Sequence, residues 1–306
     1  MYLFFLLLGK ILIQCQNPST VLERALETPI PEIQEILENK QKHEIQILLT
    51  QVERTHSGAI KFQESAFQVD ENQYFYPAST AKLPVAVLAL QKWKTLQAEG
   101  VQINGETPFL IKNKNGETII EKDSTHHEGK VTLHHLIKKI FLVSDNDAYN
   151  YLFDFLGRDY INEELKKRGL SNTQLHHKFL FGADNETTWH YTFLNAEQDT
   201  LYHQPSFRAK LKLEPHSLKG IQKGVGYLSA GALAKEPMDF SEKNRISIRD
   251  LQGILQRIIF PEHFSKEEQF KISEEDYSFL KDWMSRTTLE STSPNYNDGA
   301  HWDSYG

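Results

Sequence analysis

A single cysteine, Cys15, stands in 306 residues. That scarcity removes two chemistries together, because a disulfide framework needs at least one pair and a thiolate metal centre needs several ligands. Positive charge is not in surplus either: 34 lysines and arginines face 41 aspartates and glutamates, giving a formal charge of -7 and a pI near 6.0. No stretch concentrates basic residues, so nucleic acid is not expected as a partner. An H-E-x-x-H helix, an internal repeat and a low-complexity tract are also missing. The one long apolar run, Met1 to Cys15, is interrupted by Lys10 and too short to span a bilayer.

That run reads as an export signal, although it lacks the usual basic start. Leu12-Ile13-Gln14-Cys15 is similar to a bacterial lipoprotein cleavage box, with Gln14 where a small residue is expected. Two readings follow: lipidation of Cys15 and membrane anchoring, or a plain signal peptide with an incidental thiol. Both place the mature protein outside the cytoplasm, in the periplasm. The organisation expected is a signal over 1–15, a linker over 16–31 and one domain over 32–306. With 39% hydrophobic and 25% charged residues, the chain can bury a large core.

The most informative segment is Tyr76-Pro77-Ala78-Ser79-Thr80-Ala81-Lys82. Apolar residues at Val85, Leu88, Ala89, Trp93 and Leu96 follow at helical spacing, so Ser79 and Lys82 are predicted to share a face at the start of a helix. A free serine is a poor nucleophile and must pass its proton to a neighbour. A lysine held close and partly desolvated, with its pKa lowered, can take that proton. Taken singly, Ser79 reads equally well as a helix cap and Lys82 as a solvated first-turn residue.

A second motif, Ser144-Asp145-Asn146, falls between two amphipathic patterns. Thr132 is placed to cap the first, with Leu133, Leu136, Ile137 and Ile140 on its apolar face, and Asp145 or Asn146 opens the second, which runs to Gly157. Before the serine helix, a helix over Glu32–Lys42 and a β-hairpin with strands around Ile45–Val52 and Ile60–Val69 are predicted. Residues 171–244 show little periodicity and read as long loops and short elements. Ser247 and Ser273 cap two further helices.

S-x-x-K followed by S-D-N in this order resembles the class A serine β-lactamases and the related penicillin-binding DD-peptidases over most of residues 40 to 306. The run Glu236 to Ile246, with Pro261-Glu262 after it, also looks like a branch of general serine hydrolases. The resemblance implies a mixed α/β (α+β) fold with a helical lobe and an antiparallel-sheet lobe meeting at Ser79. It implies Ser79 as nucleophile, Lys82 as base, Ser144 as proton relay to the leaving nitrogen, and Asn146 as a holder of the substrate's amide side chain. The expected substrate is a small molecule, a β-lactam or a D-Ala-D-Ala-type peptide, handled by a monomer without a cofactor.

Two departures stand beside it. The family's K-T-G-type motif is not found: Lys223-Gly224-Val225-Gly226 lacks a strand pattern and reads as a loop, and the sheet lobe is expected to be incomplete, as in a truncated chain. The E-x-x-L-N segment whose glutamate activates the hydrolytic water in class A enzymes has its best match at Leu194-Asn195, which puts Tyr191 in the glutamate slot with Glu186 nearby but out of pattern. A lactam hydrolase, a slowly deacylating DD-peptidase or penicillin receptor, and a non-catalytic binding protein or inactive fragment all remain open. The pairs His126-His127, His134-His135 and His176-His177 make poor chelates, since adjacent side chains on a helix diverge, and no metal site is expected.

Overall fold

The computed structural model describes residues 20–229 and 231–296; the signal and lipidation readings, Cys15 included, lie outside the described residues. The chain divides into two compact units, residues 1–69 and 70–306. Among the described residues no helix is long and apolar enough to cross a membrane.

In the first unit, α1 (Val21–Leu26) is closed reciprocally: Thr20 Oγ1 accepts the Glu23 N–H at 3.1 Å while the Glu23 carboxylate accepts the Thr20 N–H at 2.6 Å. Helix α2 (Pro31–Glu38) begins on Pro31, where a missing N–H leaves no intrahelical bond unmade, and ends earlier than the Lys42 expected. Strands β1 (Ile47–Arg54) and β2 (Ile60–Phe67) form the predicted antiparallel hairpin, from Ile47 opposite Phe67 to Arg54 opposite Ile60. Gly58, at φ +83°, makes the turn that a side chain would strain.

The second unit is built on α3 (Lys82–Ala98). The sequence predicts one apolar face, but Val85 through Leu90 are each 0% exposed, so this part of the helix is enclosed all round, while Thr95, Gln97 and Ala98 in its last turn are exposed. Each fully buried valine or leucine here contributes about 1.5–3 kcal/mol. Pro84 falls in the first turn, where no intrahelical N–H bond is lost.

A short hairpin, β3 (Phe109–Lys112) and β4 (Thr118–Ile120), leads to α4 (Leu133–Val143), α5 (Asn146–Leu156) and α6 (Arg158–Lys167). The predicted caps are made: Thr132 accepts from His135 N–H at 3.1 Å and Asp145 from Ala148 N–H at 2.8 Å. Helices α7 (Ile248–Ile259) and α8 (Glu274–Met284) are capped likewise by Ser247 and Ser273, at 3.1 and 3.3 Å.

Residues 171–244 are more ordered than predicted. They supply β5 (Thr173–Gln174), β6 (His190–Leu194), β7 (Thr200–Gln204), β8 (Gln222–Lys223), β9 (Tyr227–Ser229), β10 (Ala232–Ala234) and β11 (Met238–Asp239), and β12 (Arg245–Ile246) follows. Strands β6 and β7 extend the early hairpin into an antiparallel sheet ordered β4-β3-β6-β7. Its inner face is aromatic: Phe109, Tyr191 and Phe193 are at most 2% exposed, and the Phe109 and Phe193 rings lie 5.0 Å apart. Alternation over so few residues escapes a periodicity search, because His190 and Thr192 between them dilute the apolar signal.

Candidate active site

Ser79 sits one step earlier than predicted. It belongs to a 3-10 turn, Ala78–Ala81, and α3 proper starts at Lys82, whose N–H bonds back to the carbonyls of Ser79 and Thr80. Ala78 enters the turn at φ +45°, a conformation that costs a non-glycine residue roughly 1–2 kcal/mol. The distortion leaves Ser79 exposed and, among the described residues, its N–H without a carbonyl partner.

The S-D-N turn is fixed just as closely. Ser144 ends α4 in the left-handed region at φ 53°, and Asp145 caps α5 at once, so two helices meet end to end over two residues. That abrupt join turns the Ser144 carbonyl and hydroxyl and the Asn146 amide toward α3.

All four motif residues meet at the Lys82 amine. Its Nζ lies 3.2 Å from Ser79 Oγ, 2.9 Å from Ser144 Oγ and 2.7 Å from Asn146 Oδ1, and it also donates to the Ser144 carbonyl. Lys82 is 2% exposed. Burial pushes its pKa down to about 8, against the opposing pull of the Asp145 carboxylate. Two of the four oxygens, the Ser144 carbonyl and Asn146 Oδ1, can only accept; the other two are hydroxyls. A neutral amine serves three of the four at once, its two N–H bonds going to the pure acceptors and its lone pair receiving a proton from one of the two hydroxyls.

Behind the turn lies a charge network that the sequence reading missed. Lys139 on α4 bridges Asp145 at 3.1 Å and Asp123 at 2.8 Å, and Asp123 is 5% exposed. Burial raises the Asp123 pKa, but hydrogen bonds from His135, Lys139 and Thr125 outweigh it and hold the carboxyl well below the usual range. The residues involved come from a loop, a helix and the turn after it, at spacings no single periodicity links.

A cavity of about 560 Å³ is lined by Tyr76, His177, Phe179, Leu180, Phe181 and Glu242 among others. Of this lining, Phe179 comes next to the site, with Lys82 Nζ 5.3 Å from the ring centroid. The segment carrying Phe179 is pinned from several sides. Asn244, 0% exposed, accepts the N–H groups of His176 and His177 at 2.8 and 3.0 Å and donates to the His177 carbonyl at 3.1 Å. Lys178 forms a buried ion pair with Asp154 at 2.8 Å.

The expected hydrolytic slot is elsewhere. Tyr191 lies in β6, 0% exposed, its hydroxyl donating to the Tyr151 carbonyl at 2.5 Å. Glu186 is held by Arg208 at 2.7 Å and Arg158 at 3.4 Å. Among the described residues no carboxylate hydrogen-bonds Ser79 or Lys82. Lys223, read as loop, is the second residue of the two-residue strand β8, paired with Met238.

One histidine expectation also changes. His126 and His127 sit in a turn, not a helix, and their rings stack with centroids 4.5 Å apart. With Glu128 they bring three ligand atoms within 4.8 Å of one another. His126 Nδ1 accepts the Glu128 N–H at 3.0 Å, and the Glu128 carboxylate pairs with Lys130 at 2.6 Å.

Comparison with known proteins agrees with the family resemblance. Residues 29–299 match the beta-lactamase enzyme family, and the chain belongs to that family. Its mixed helix-and-sheet architecture is consistent with the α/β fold of serine β-lactamases. Among solved structures it is similar to a class A beta-lactamase from Mycobacterium abscessus, at 15% identity and a TM-score of 0.39, over 83% of this chain and 70% of that one. It is also similar to a beta-lactamase from Sphaerobacter thermophilus, at 17% identity and a TM-score of 0.29, over 49% of this chain and 54% of that one. No curated protein matches.

Proposed function

We propose that the chain is a serine acyl-transfer enzyme acylated at Ser79 by β-lactams or by the acyl-D-Ala bond they mimic. The observation that carries this reading is the Lys82 amine held among Ser79 Oγ, Ser144 Oγ, Asn146 Oδ1 and the Ser144 carbonyl. Ser79 Oγ attacks the amide carbon and forms a C–O bond, and its proton passes to the neutral Lys82 amine. The C–N bond then breaks as the Ser144 hydroxyl hands its proton to the leaving nitrogen and regains one from the lysine. The Ser79 N–H, free of any carbonyl partner among the described residues, can donate to the developing oxyanion, a contact worth about 3 kcal/mol in comparable sites. Asn146 Nδ2, without a hydrogen-bond partner among the described residues while Oδ1 engages Lys82, is available to a substrate carbonyl.

A second reading, a DD-peptidase or penicillin receptor, is favoured by one feature: no carboxylate among the described residues reaches Ser79 or Lys82. A fluorescent penicillin tests both. The expected result is covalent labelling that survives denaturing electrophoresis and is suppressed by prior exposure to an unlabelled lactam. Labelling suppressed also by millimolar acyl-D-Ala-D-Ala peptide assigns the peptide as natural substrate; no labelling of folded protein rejects the acyl-transfer reading.

A further inference from the structure

We propose that Phe179 holds the acylated state: its ring occupies the side of the lysine from which a hydrolytic water would be activated, so the Ser79 ester persists. The inference rests on Ser79 being the nucleophile. The Lys82 amine is surrounded by four oxygens and, 5.3 Å away, the face of Phe179. Lys82 is 2% exposed, so little of Nζ is open to a water that could surrender a proton.

The ring is not free to swing aside. Its backbone N–H donates to Asn150 Oδ1 at 2.7 Å, and Asn150 is 1% exposed. The ring packs on Tyr149 with centroids 4.6 Å apart, and the Tyr149 hydroxyl donates to the His177 carbonyl at 3.1 Å. The buried Lys178–Asp154 pair, 2.8 Å long, fixes the adjacent residue.

Hydrolysis needs a new bond from water oxygen to the acyl carbon, cleavage of the carbon–Oγ bond, a base to take one water proton, and return of a proton to Oγ. Among the described residues no carboxylate hydrogen-bonds Ser79 or Lys82; Glu242 lines the cavity that Phe179 borders, and three others are engaged elsewhere. Asp145 accepts from Ala148 N–H at 2.8 Å and pairs with Lys139 at 3.1 Å; Asp154 is held by Lys178 and Glu186 by two arginines. An apolar ring thus stands where a proton acceptor is required, and the consequence is a covalent complex that forms but does not turn over.

The test loads the full chain with benzylpenicillin, removes the excess, and follows loss of the adduct by intact mass in the wild type, Phe179→Glu and Phe179→Leu. The expected result is a persistent adduct in the wild type and Phe179→Leu, and decay about 100-fold faster in Phe179→Glu, the scale of an added general base. Should Phe179→Glu not fold, Phe179→Ala, which opens room for water, is expected to decay faster than wild type. Equal decay in wild type and in the folded Glu or Ala variant overturns the role of Phe179, as does rapid decay of the wild-type adduct. A wild type that never gains the adduct overturns the acyl-transfer reading itself, a different outcome.

Discussion

Lys82→Met is expected to lower the rate of Ser79 acylation on the order of a thousandfold, within the range general bases contribute. Methionine matches the length of lysine and tolerates the buried setting, but it cannot take the serine proton or donate to the Ser144 carbonyl and Asn146 Oδ1. Lys82→Arg should fail similarly, because a guanidinium does not lose its proton. The pH profile supplies the sign. Burial holds the Lys82 pKa near 8 against its ordinary 10.5, so wild-type acylation should rise as pH passes through about 8 and level off above, while the Met variant shows no such rise. The same shift bears on stability. The unfolded chain binds the Lys82 proton more tightly, so this residue's contribution is best above pH 10.5, is lost as pH falls toward 8, and is constant below. The rate of adduct formation by intact mass, from pH 6 to 10, measures the first effect; denaturant midpoints of wild type and Lys82→Met measure the second.

Lys139→Met is expected to cost about 3–5 kcal/mol, because removing one partner of a buried ion pair leaves the other charged in a low-dielectric site. The abandoned group is Asp123, 5% exposed, which keeps only His135 and Thr125. Acylation should also slow, since Lys139 anchors Asp145 and through it the turn that presents Ser144 and Asn146. Because the Asp123 carboxyl is held below its unfolded value of 3.8, the stability it supplies is present above that pH and lost below it. Wild type should therefore soften in acid more steeply than the variant. Thermal melts at pH 7 and pH 3.5 check both statements, and Asp123→Asn added to Lys139→Met should recover part of the loss at pH 7. A Lys139→Met melt unchanged from wild type would remove the network from the account.

What could be read from the sequence was what is local. Ser79 and Lys82 lie three positions apart, so any helical turn brings them together, and the Ser144-Asp145-Asn146 turn carries its own caps at Thr132 and Asp145. The hairpin of β1 and β2 was legible because its strands are long enough to show a pattern on either side of Ser57-Gly58. The rest depends on contacts between distant positions. Phe179 reaches Lys82 only because Asn244, Asn150 and Tyr149 fix an aperiodic stretch against α5, and nothing in the composition of residues 171–244 signals that. Tyr191 was misplaced for the opposite reason: a motif template aligned it with a catalytic slot, whereas alternation with Phe193 makes it a core residue of a short strand. Stacked His126 and His127 show the same lesson, since divergence of neighbouring side chains holds on a helix and not in a turn.

The most direct test of the central claim is peptide-mapped mass spectrometry of the full chain after incubation with benzylpenicillin, beside its Ser79→Ala variant. The account predicts a gain of one intact penicillin, carried on the peptide containing Ser79 and absent from the variant. A folded wild-type protein that gains no such mass, or carries it on another residue, would contradict it.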